Sequence, residues 1–199
     1  MMVFQATHDD VAAVATLHIK VFPSFFLTSL GQKFLEELYM SYLSHPSAIF
    51  MVSRDKNMVV GFVAGTSDPS VFFSDLRKQR KFFFLFKALP TLLKNPMPVI
   101  RKLLSSMTYN GDTSADVKNS SLLSSIGVDS AYRGTGLSTA LIHAFESKAH
   151  SHGSNSVYLL TDETENIRAN MFYTKIGYQV ILPLIKEKSR KMLRYEKTL

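Results

Sequence analysis

Cysteine is absent from all 199 residues. That excludes disulfides, thiolate nucleophiles and cysteine-held metals. The six histidines, His8, His18, His45, His143, His150 and His152, form no ligand spacing, so no metal site is expected. The N-terminal Met1-Met2-Val3-Phe4-Gln5 lacks a basic region, and Asp9-Asp10 arrive before an apolar run of signal-peptide length. A secretory signal is therefore not expected, and a cytoplasmic setting is. The aromatic run Phe82-Phe83-Phe84-Leu85-Phe86 is cut short by Lys87 and Pro90, too soon to span a bilayer.

Acids are scarce in one stretch only. Residues 70–110 hold eight Lys/Arg (Arg77, Lys78, Arg80, Lys81, Lys87, Lys94, Arg101, Lys102) against Asp75 alone. The net charge of +7 belongs wholly to that segment, because the remaining bases and acids balance. With 46% hydrophobic and 20% charged residues, the composition is that of an ordinary globular chain. Its length suits one domain, 1–199, carrying an insertion at about 69–110.

Periodicity gives the order of elements. Val3–Ala6 reads as a strand, and Thr7 or Asp9 can cap a helix with Val11, Val14, Ala15 and His18-Ile19 at helical spacing. Phe22-Pro23 breaks it, and a second helix is predicted over about Ser29–Leu43, with Leu30, Phe34, Leu38 and Tyr42 on one face. Ala48–Val52 and Met58–Thr66 read as a hairpin around Asp55-Lys56-Asn57. Beyond the basic segment, which reads as broken helix, Asn110–Ser120 is turn-rich. Leu122–Val128 is a strand, Leu137–Lys148 a helix ended by Gly153, Val157–Thr161 a strand and Asn166–Lys175 a helix. Strands at Val180–Leu182 and about Met192–Glu196 follow, and the sum suits a mixed α/β layered domain.

The strand ending at Val128 feeds Arg133-Gly134-Thr135-Gly136-Leu137-Ser138 and then a helix. A helix start offers unpaired N–H groups and a positive dipole end, and glycine lets backbone approach a bulky anion. Two glycines can equally just join strand to helix. A dinucleotide fingerprint fails because Thr139 occupies the third glycine position, and a Walker loop fails because no Gly-Lys-Ser/Thr follows.

The stretch Ile126-Gly127-Val128-Asp129-Ser130-Ala131-Tyr132-Arg133-Gly134-Thr135-Gly136-Leu137-Ser138-Thr139 resembles the acetyl-CoA motif of the GNAT superfamily of N-acetyltransferases, Gln/Arg-x-x-Gly-x-Gly/Ala. Arg133 and Gly136 match; Ser138 departs from the last position. Downstream, Asn166-x-x-Ala169-x-x-Phe172-Tyr173-x-Lys175-x-Gly177-Tyr178 resembles a second element of that superfamily. The likeness is good over 120–199, weak over 1–66, and silent on 69–108.

The resemblance implies a mostly antiparallel mixed sheet flanked by helices, and acetyl-CoA or another acyl-CoA as cosubstrate. It implies that Ile126 and Val128 pair with the pantetheine arm and that the Val128 N–H polarises the thioester carbonyl. The turn Arg133 to Thr139 (with Gly134, Thr135, Gly136, Leu137 and Ser138) would hold the pyrophosphate, and Asn166 would steady the pantetheine side. Tyr173 stands at the family's usual general-acid position; as a residue beside Phe172 it reads equally as a core aromatic. Asp68, after the third strand, is the candidate base by strand count, although an aspartate before Pro69 also reads as a cap. Asp129 reads as a solvated turn residue, and Glu163 and Glu165 as favouring the helix start that follows.

The acceptor is expected to be a primary amine on a small molecule, such as an amino sugar or another anionic acceptor, because Phe22–Gly31 is rich in aromatics and poor in charge. The basic aromatic segment reads as a lid for such an acceptor, as a peripheral contact with an anionic membrane, or as a packing or homodimer helix. No nucleic-acid motif accompanies it. A CoA-binding module without turnover is the rival reading.

Overall fold

A computed structural model describes residues 1–78, 119–164, 166–186 and 190–199 of the chain. The expected basic aromatic run from residue 79, the turn-rich stretch up to 118 and Glu165 lie outside the described residues.

Seven strands form one sheet in the order β1-β2-β3-β4-β5-β7-β6. They are β1 (Val3–Gln5), β2 (Ala48–Asp55), β3 (Met58–Thr66), β4 (Ser120–Val128), β5 (Ser156–Asp162), β6 (Gln179–Lys186) and β7 (Arg190–Thr198). Every adjacent pair is antiparallel except β4/β5. The β2–β3 hairpin closes through Lys56 and Asn57, both left-handed (φ 47° and 67°), as a two-residue turn of the primed type requires.

Helices cover both faces. On one lie α1 (Val11–Val21), the short α2 (Phe26–Ser29), α3 (Gln32–Ser44) and α4 (residues 69–78). Val14, Ala15, Leu17, Leu35, Tyr39 and Phe72 pack there on Phe50, Val52 and Phe62. On the other face lie α5 (Leu137–Ser151) and α6 (Ile167–Lys175), whose Leu141, Phe145 and Tyr173 pack on Val63, Val157 and Tyr195. The expected fold class and element order hold; the second helix starts at Gln32 rather than Ser29. The entry to α1 also differs in detail. Thr7 caps a 3-10 turn over His8–Asp10, and Asp10 rather than Asp9 closes the capping box. Buried Asp10 then takes the Arg54 guanidinium two-pronged, Nε at 2.8 Å, tying this entry to β2.

Two glycines set the site. A Cβ on Gly65 would sit 2.1 Å from the Leu122 carbonyl oxygen and 2.6 Å from the Phe145 ring, and one on Gly127 would sit 2.6 Å from Phe62 and 2.9 Å from Val21. Side-chain-free backbone there lets α5 and α1 press on the centre of the sheet from opposite sides. The β3/β4 register also slips between Ala64 and Gly65, leaving Ser124 without a partner across the pair. That bulge keeps Leu123 and Ile126, three residues apart, on the α5 face, and turns Ser125 and Gly127 toward α1 and α3.

Candidate active site

Strands β4 and β5 pair only at Ser120–Leu122 with Ser156–Tyr158. Beyond these three residues they diverge, so Leu123–Val128 and Leu159–Asp162 form the two lips of a gap. Antiparallel ladders alternate their bonding direction. The Asp129 N–H donates to the Val60 carbonyl at 2.9 Å, which makes Phe62/Gly127 and Ala64/Ser125 the bonded pairs toward β3. The N–H and C=O groups of Ile126 and Val128 therefore face the gap.

At the gap's mouth the chain turns into α5. Asp129 caps a 3-10 turn over Ser130–Tyr132 by accepting from the Ala131 N–H at 3.1 Å, and it pairs with Lys20 of α1 at 2.7 Å. The Lys20 hydrogen bond, then that of Ala131, holds its carboxyl below the usual range. Asp129 is thus a brace and not merely a solvated residue. Tyr132 donates to Asp55, whose carboxylate raises the phenol's pKa and fixes the turn to the tip of the β2–β3 hairpin.

Gly134 and Gly136 are both left-handed (φ 79° and 82°). Gly136 is the N-cap of α5 and brings no capping side chain, and the first N–H bonded back is that of Ala140, to the Gly136 carbonyl at 3.0 Å. The N–H groups of Leu137, Ser138 and Thr139 therefore have no intrahelical acceptor. A Cβ at Gly134 or Gly136 would meet nothing within 4 Å, so the space before the helix start is open. With exposed Arg133 beside it, the turn has the form of an anion cradle at a dipole's positive end. Ser138 offers its backbone N–H to that cradle just as glycine would. The residues present fit an acyl-CoA: the cradle suits its pyrophosphate and the lip of β4 suits an extended amide-bearing arm.

Asn166 is the N-cap of α6 at the end of the opposite lip, where its Nδ2 donates to Thr161 Oγ1 at 3.2 Å. Asn170, which the sequence reading passed over, clamps that lip from α6 by donating to the carbonyls of Asp162 and Glu163 at 3.0 and 3.1 Å. Tyr173 is buried on α6 against Phe172, Tyr178 and Tyr195, ring centroids 5.5, 5.8 and 5.8 Å away. Burial pushes its phenol well above the ordinary tyrosine range, so it stays protonated at neutral pH. Ile126 and Val128 border the same cluster.

Asp68 is elsewhere. It follows β3, whose Thr66 pairs with Leu122 at the closed end of the gap. Ser67 there meets His152, just past the far end of α5, a helix whose 15 residues span roughly 22 Å. Asp68 Oδ1 accepts the Val71 N–H at 3.0 Å and so caps α4. We assign it no catalytic role. Asp68→Ala is expected to cost about 1 kcal/mol, a fall of about 2–4 °C in Tm, and to leave kcat within about twofold. A loss of turnover far beyond that would restore Asp68 as a base.

A polar pair that no sequence motif announces lies in the α1/α3 layer. His18 Nδ1 and Tyr39 Oη are 2.7 Å apart, and both residues are 1% exposed. The signal available was a lone histidine on the apolar face of α1. Among the described residues no group of three or more His, Asp or Glu could hold a metal.

Residues 109–199 match the model of the acetyltransferase (GNAT) domain. No curated protein sequence matches the chain. Among solved structures, a ribosomal-protein-alanine N-acetyltransferase from Brucella melitensis superposes with a TM-score of 0.66 at 12% identity, covering 100% of both chains. Ard1 from Thermoplasma volcanium gives 0.62 at 18%, covering 100% of this chain and 97% of the other. An aminoglycoside 6'-N-acetyltransferase complexed with coenzyme A gives 0.62 at 14%, with the same coverages. At such identities the likeness is one of fold, and it runs the length of the chain. Residues 109–199 thus match an acetyltransferase (GNAT) domain, and the chain shares the fold of solved acetyltransferases along its length.

Proposed function

We propose that this protein transfers an acetyl group from acetyl-CoA to a primary amine of a small molecule, using one GNAT-like unit interrupted by the basic segment at about 69–110. The observation that carries the reading is the three-residue pairing of β4 with β5, which leaves a lip of free amides running to an open phosphate cradle.

In this reading Arg133 and the N–H groups of Leu137–Thr139 hold the pyrophosphate. The Ile126 and Val128 backbones pair with the arm, and Asn166 steadies it from the other lip. Attack by a neutral amine on the thioester carbonyl builds negative charge on oxygen, which the Val128 N–H stabilises. The C–S bond breaks as the C–N bond forms, the protonated Tyr173 phenol supplies a proton to the departing thiolate, and the proton that the amine nitrogen loses restores the phenol. Burial keeps the hydroxyl protonated before the step, so it stands as the donor and not as the base.

For the acceptor, the segment after α1 favours a small molecule. Phe22 and Phe25 lie 5.1 Å apart with Phe25 half open to solvent, and α2 carries no charge. One structural neighbour acts on an aminoglycoside and another on a ribosomal-protein alanine, so both kinds of acceptor belong in the test.

The test is thiol release from acetyl-CoA with a panel of amino sugars, amino-sugar nucleotides and peptides. Amine-dependent release is expected, and Tyr173→Phe is expected to lower kcat about a hundredfold with acetyl-CoA affinity unchanged. Tight acetyl-CoA binding without release for any amine, and no effect of Tyr173→Phe, would point to a binding module instead.

A further inference from the structure

Gly134 and Gly136 open the turn before α5, and they also make it hard to hold, because glycine loses more freedom on ordering than any other residue. A turn that took its form only around a ligand would set that ordering against binding. Here the chain's own bonds hold the turn, and they converge on Tyr132. Thr135, between the two glycines, donates its N–H and its hydroxyl to the Tyr132 carbonyl at 3.4 and 2.7 Å. The Tyr132 N–H donates to the Asp129 carbonyl at 2.9 Å, and the ring packs against the core on the α5 side. The Tyr132 hydroxyl reaches across 77 residues of sequence to Asp55.

Asp55 is a firm point to reach for. It ends β2 and pairs with Met58 across the left-handed Lys56-Asn57 turn. The same hairpin is bound to the end of β4, where the Asp129 N–H meets the Val60 carbonyl at 2.9 Å. Hairpin tip and glycine turn thus start from one base, and the phenol closes the span between them. A carboxylate bonded to the residue next to Arg133 is the wrong charge for a phosphate site, since it repels what the site would hold. Its presence there is accounted for by the bond it accepts. The Tyr132 hydrogen is committed to that carboxylate, so the hydroxyl has none to offer a phosphate.

We propose that Tyr132, anchored on Asp55, is a positioning residue for the acyl-CoA pyrophosphate. It holds Arg133 and the Gly134–Gly136 turn in the form the phosphates need, so the tip of the β2–β3 hairpin sets acyl-CoA affinity. This rests on the acyl-CoA reading above, which puts the pyrophosphate on that turn. Both residues act through the shape of the turn and leave the chemistry at the thioester alone.

The experiment measures affinity for acetyl-CoA by titration calorimetry and for S-acetylpantetheine by NMR titration. The second ligand keeps the thioester and the amide-bearing arm but lacks the phosphates. Tyr132→Phe keeps the ring and removes the anchor. It is expected to weaken acetyl-CoA binding about tenfold, the scale of one hydrogen bond to a charged group, and to leave S-acetylpantetheine unchanged. Asp55→Ala is expected to weaken acetyl-CoA too, although charge alone would make it bind tighter. Asp55→Asn keeps an acceptor oxygen and should lose less. The Tyr132→Phe/Asp55→Ala double variant should bind no worse than Tyr132→Phe, because the two residues act through one bond. The KM for acetyl-CoA should rise while kcat stays within about twofold. Asp68→Ala, a lost cap far from the turn, is the stability control and should bind acetyl-CoA as wild type does. Tyr132→Phe affinity within about twofold of wild type, equal losses for the two ligands, tighter binding by Asp55→Ala, or multiplying effects in the double variant would overturn the proposal. Wild-type binding of acetyl-CoA would still support the acyl-CoA reading in each of those cases. A wild type that binds no acetyl-CoA would instead remove that reading, and this proposal with it.

Discussion

Gly136→Val is expected to weaken acetyl-CoA binding by about a hundredfold or more while lowering Tm by only a few degrees. The two effects come from different places. A β-branched residue at φ 82° carries left-handed strain of about 1–2 kcal/mol, and in a protein of this size each kcal/mol moves Tm by about 2–4 °C. The side chain meets nothing in the chain itself, so no clash adds to that cost. It does enter the space before the N–H groups of Leu137, Ser138 and Thr139, where phosphate oxygens belong. Losing two charge-assisted hydrogen bonds at about 1.5 kcal/mol each already gives the hundredfold. Gly153 supplies the control, because it too is left-handed (φ 84°) with open space around a Cβ, but it lies past the other end of α5. Gly153→Val should carry the same strain and leave affinity unchanged. Isothermal titration of both variants decides the matter. Equal losses in the two, or a Gly136→Val protein binding within about threefold of wild type, would show that the turn is only a joint between strand and helix.

The open glycine turn at the start of α5 was legible in the sequence because everything it needs is local. Two glycines, a helix start and a preceding strand lie within about a dozen consecutive residues, and the pattern at Arg133–Ser138 states them in order. The gap was not legible in that way. Its two lips are 36 residues apart in sequence at their first pair, Ser120 with Ser156, and only the register shows that pairing stops after three residues. The face of Ser125 was hidden for a related reason. Strand alternation read straight from Leu122 would put Leu123 and Ser125 on one face, and the unpaired Ser124 reverses that.

Asp68 illustrates the opposite error, where a strand count suggested proximity. Its carboxylate is engaged three residues ahead at Val71, a local capping use that Ser67-Asp68-Pro69 also advertises. Tyr173 kept both of its readings because they coincide in space. A phenol packed in the helix–sheet core beside Ile126 and Val128 is structural by its ring and remains available by its hydroxyl. His18 was visible only as an oddity on an apolar helix face. Its meaning depends on Tyr39, 21 residues away on another helix, and no pattern within either helix joins them.

That buried histidine also makes a demand on the fold as a whole. Lowering the pH from 7 to 4 is expected to remove about 3 kcal/mol of stability through His18 alone. Its pKa is about 4 in the folded protein, held down by burial, against an ordinary 6.5. Between those values the unfolded chain binds the proton and the folded one does not. The stabilisation is therefore complete above about pH 6.5 and is lost progressively as the pH falls through 6.5 toward 4. The groups packed against the ring are the Tyr39 hydroxyl and the rings of Phe22 and Phe62, none able to neutralise an imidazolium. The two carboxylates with lowered pKa values lose most of their share below this window. Asp10 and Asp129 are held below the ordinary value of 3.8 by Arg54 and Lys20, so their losses begin at lower pH. His152 also has a lowered pKa, but it is exposed and weakly coupled to the fold. His18→Gln keeps a hydrogen-bonding side chain without titrating, and its stability should be flat where the wild type falls. Urea melts of the two proteins at half-unit steps from pH 7 to 4 measure the difference, and parallel curves would mean that His18 is protonated in the fold at little cost.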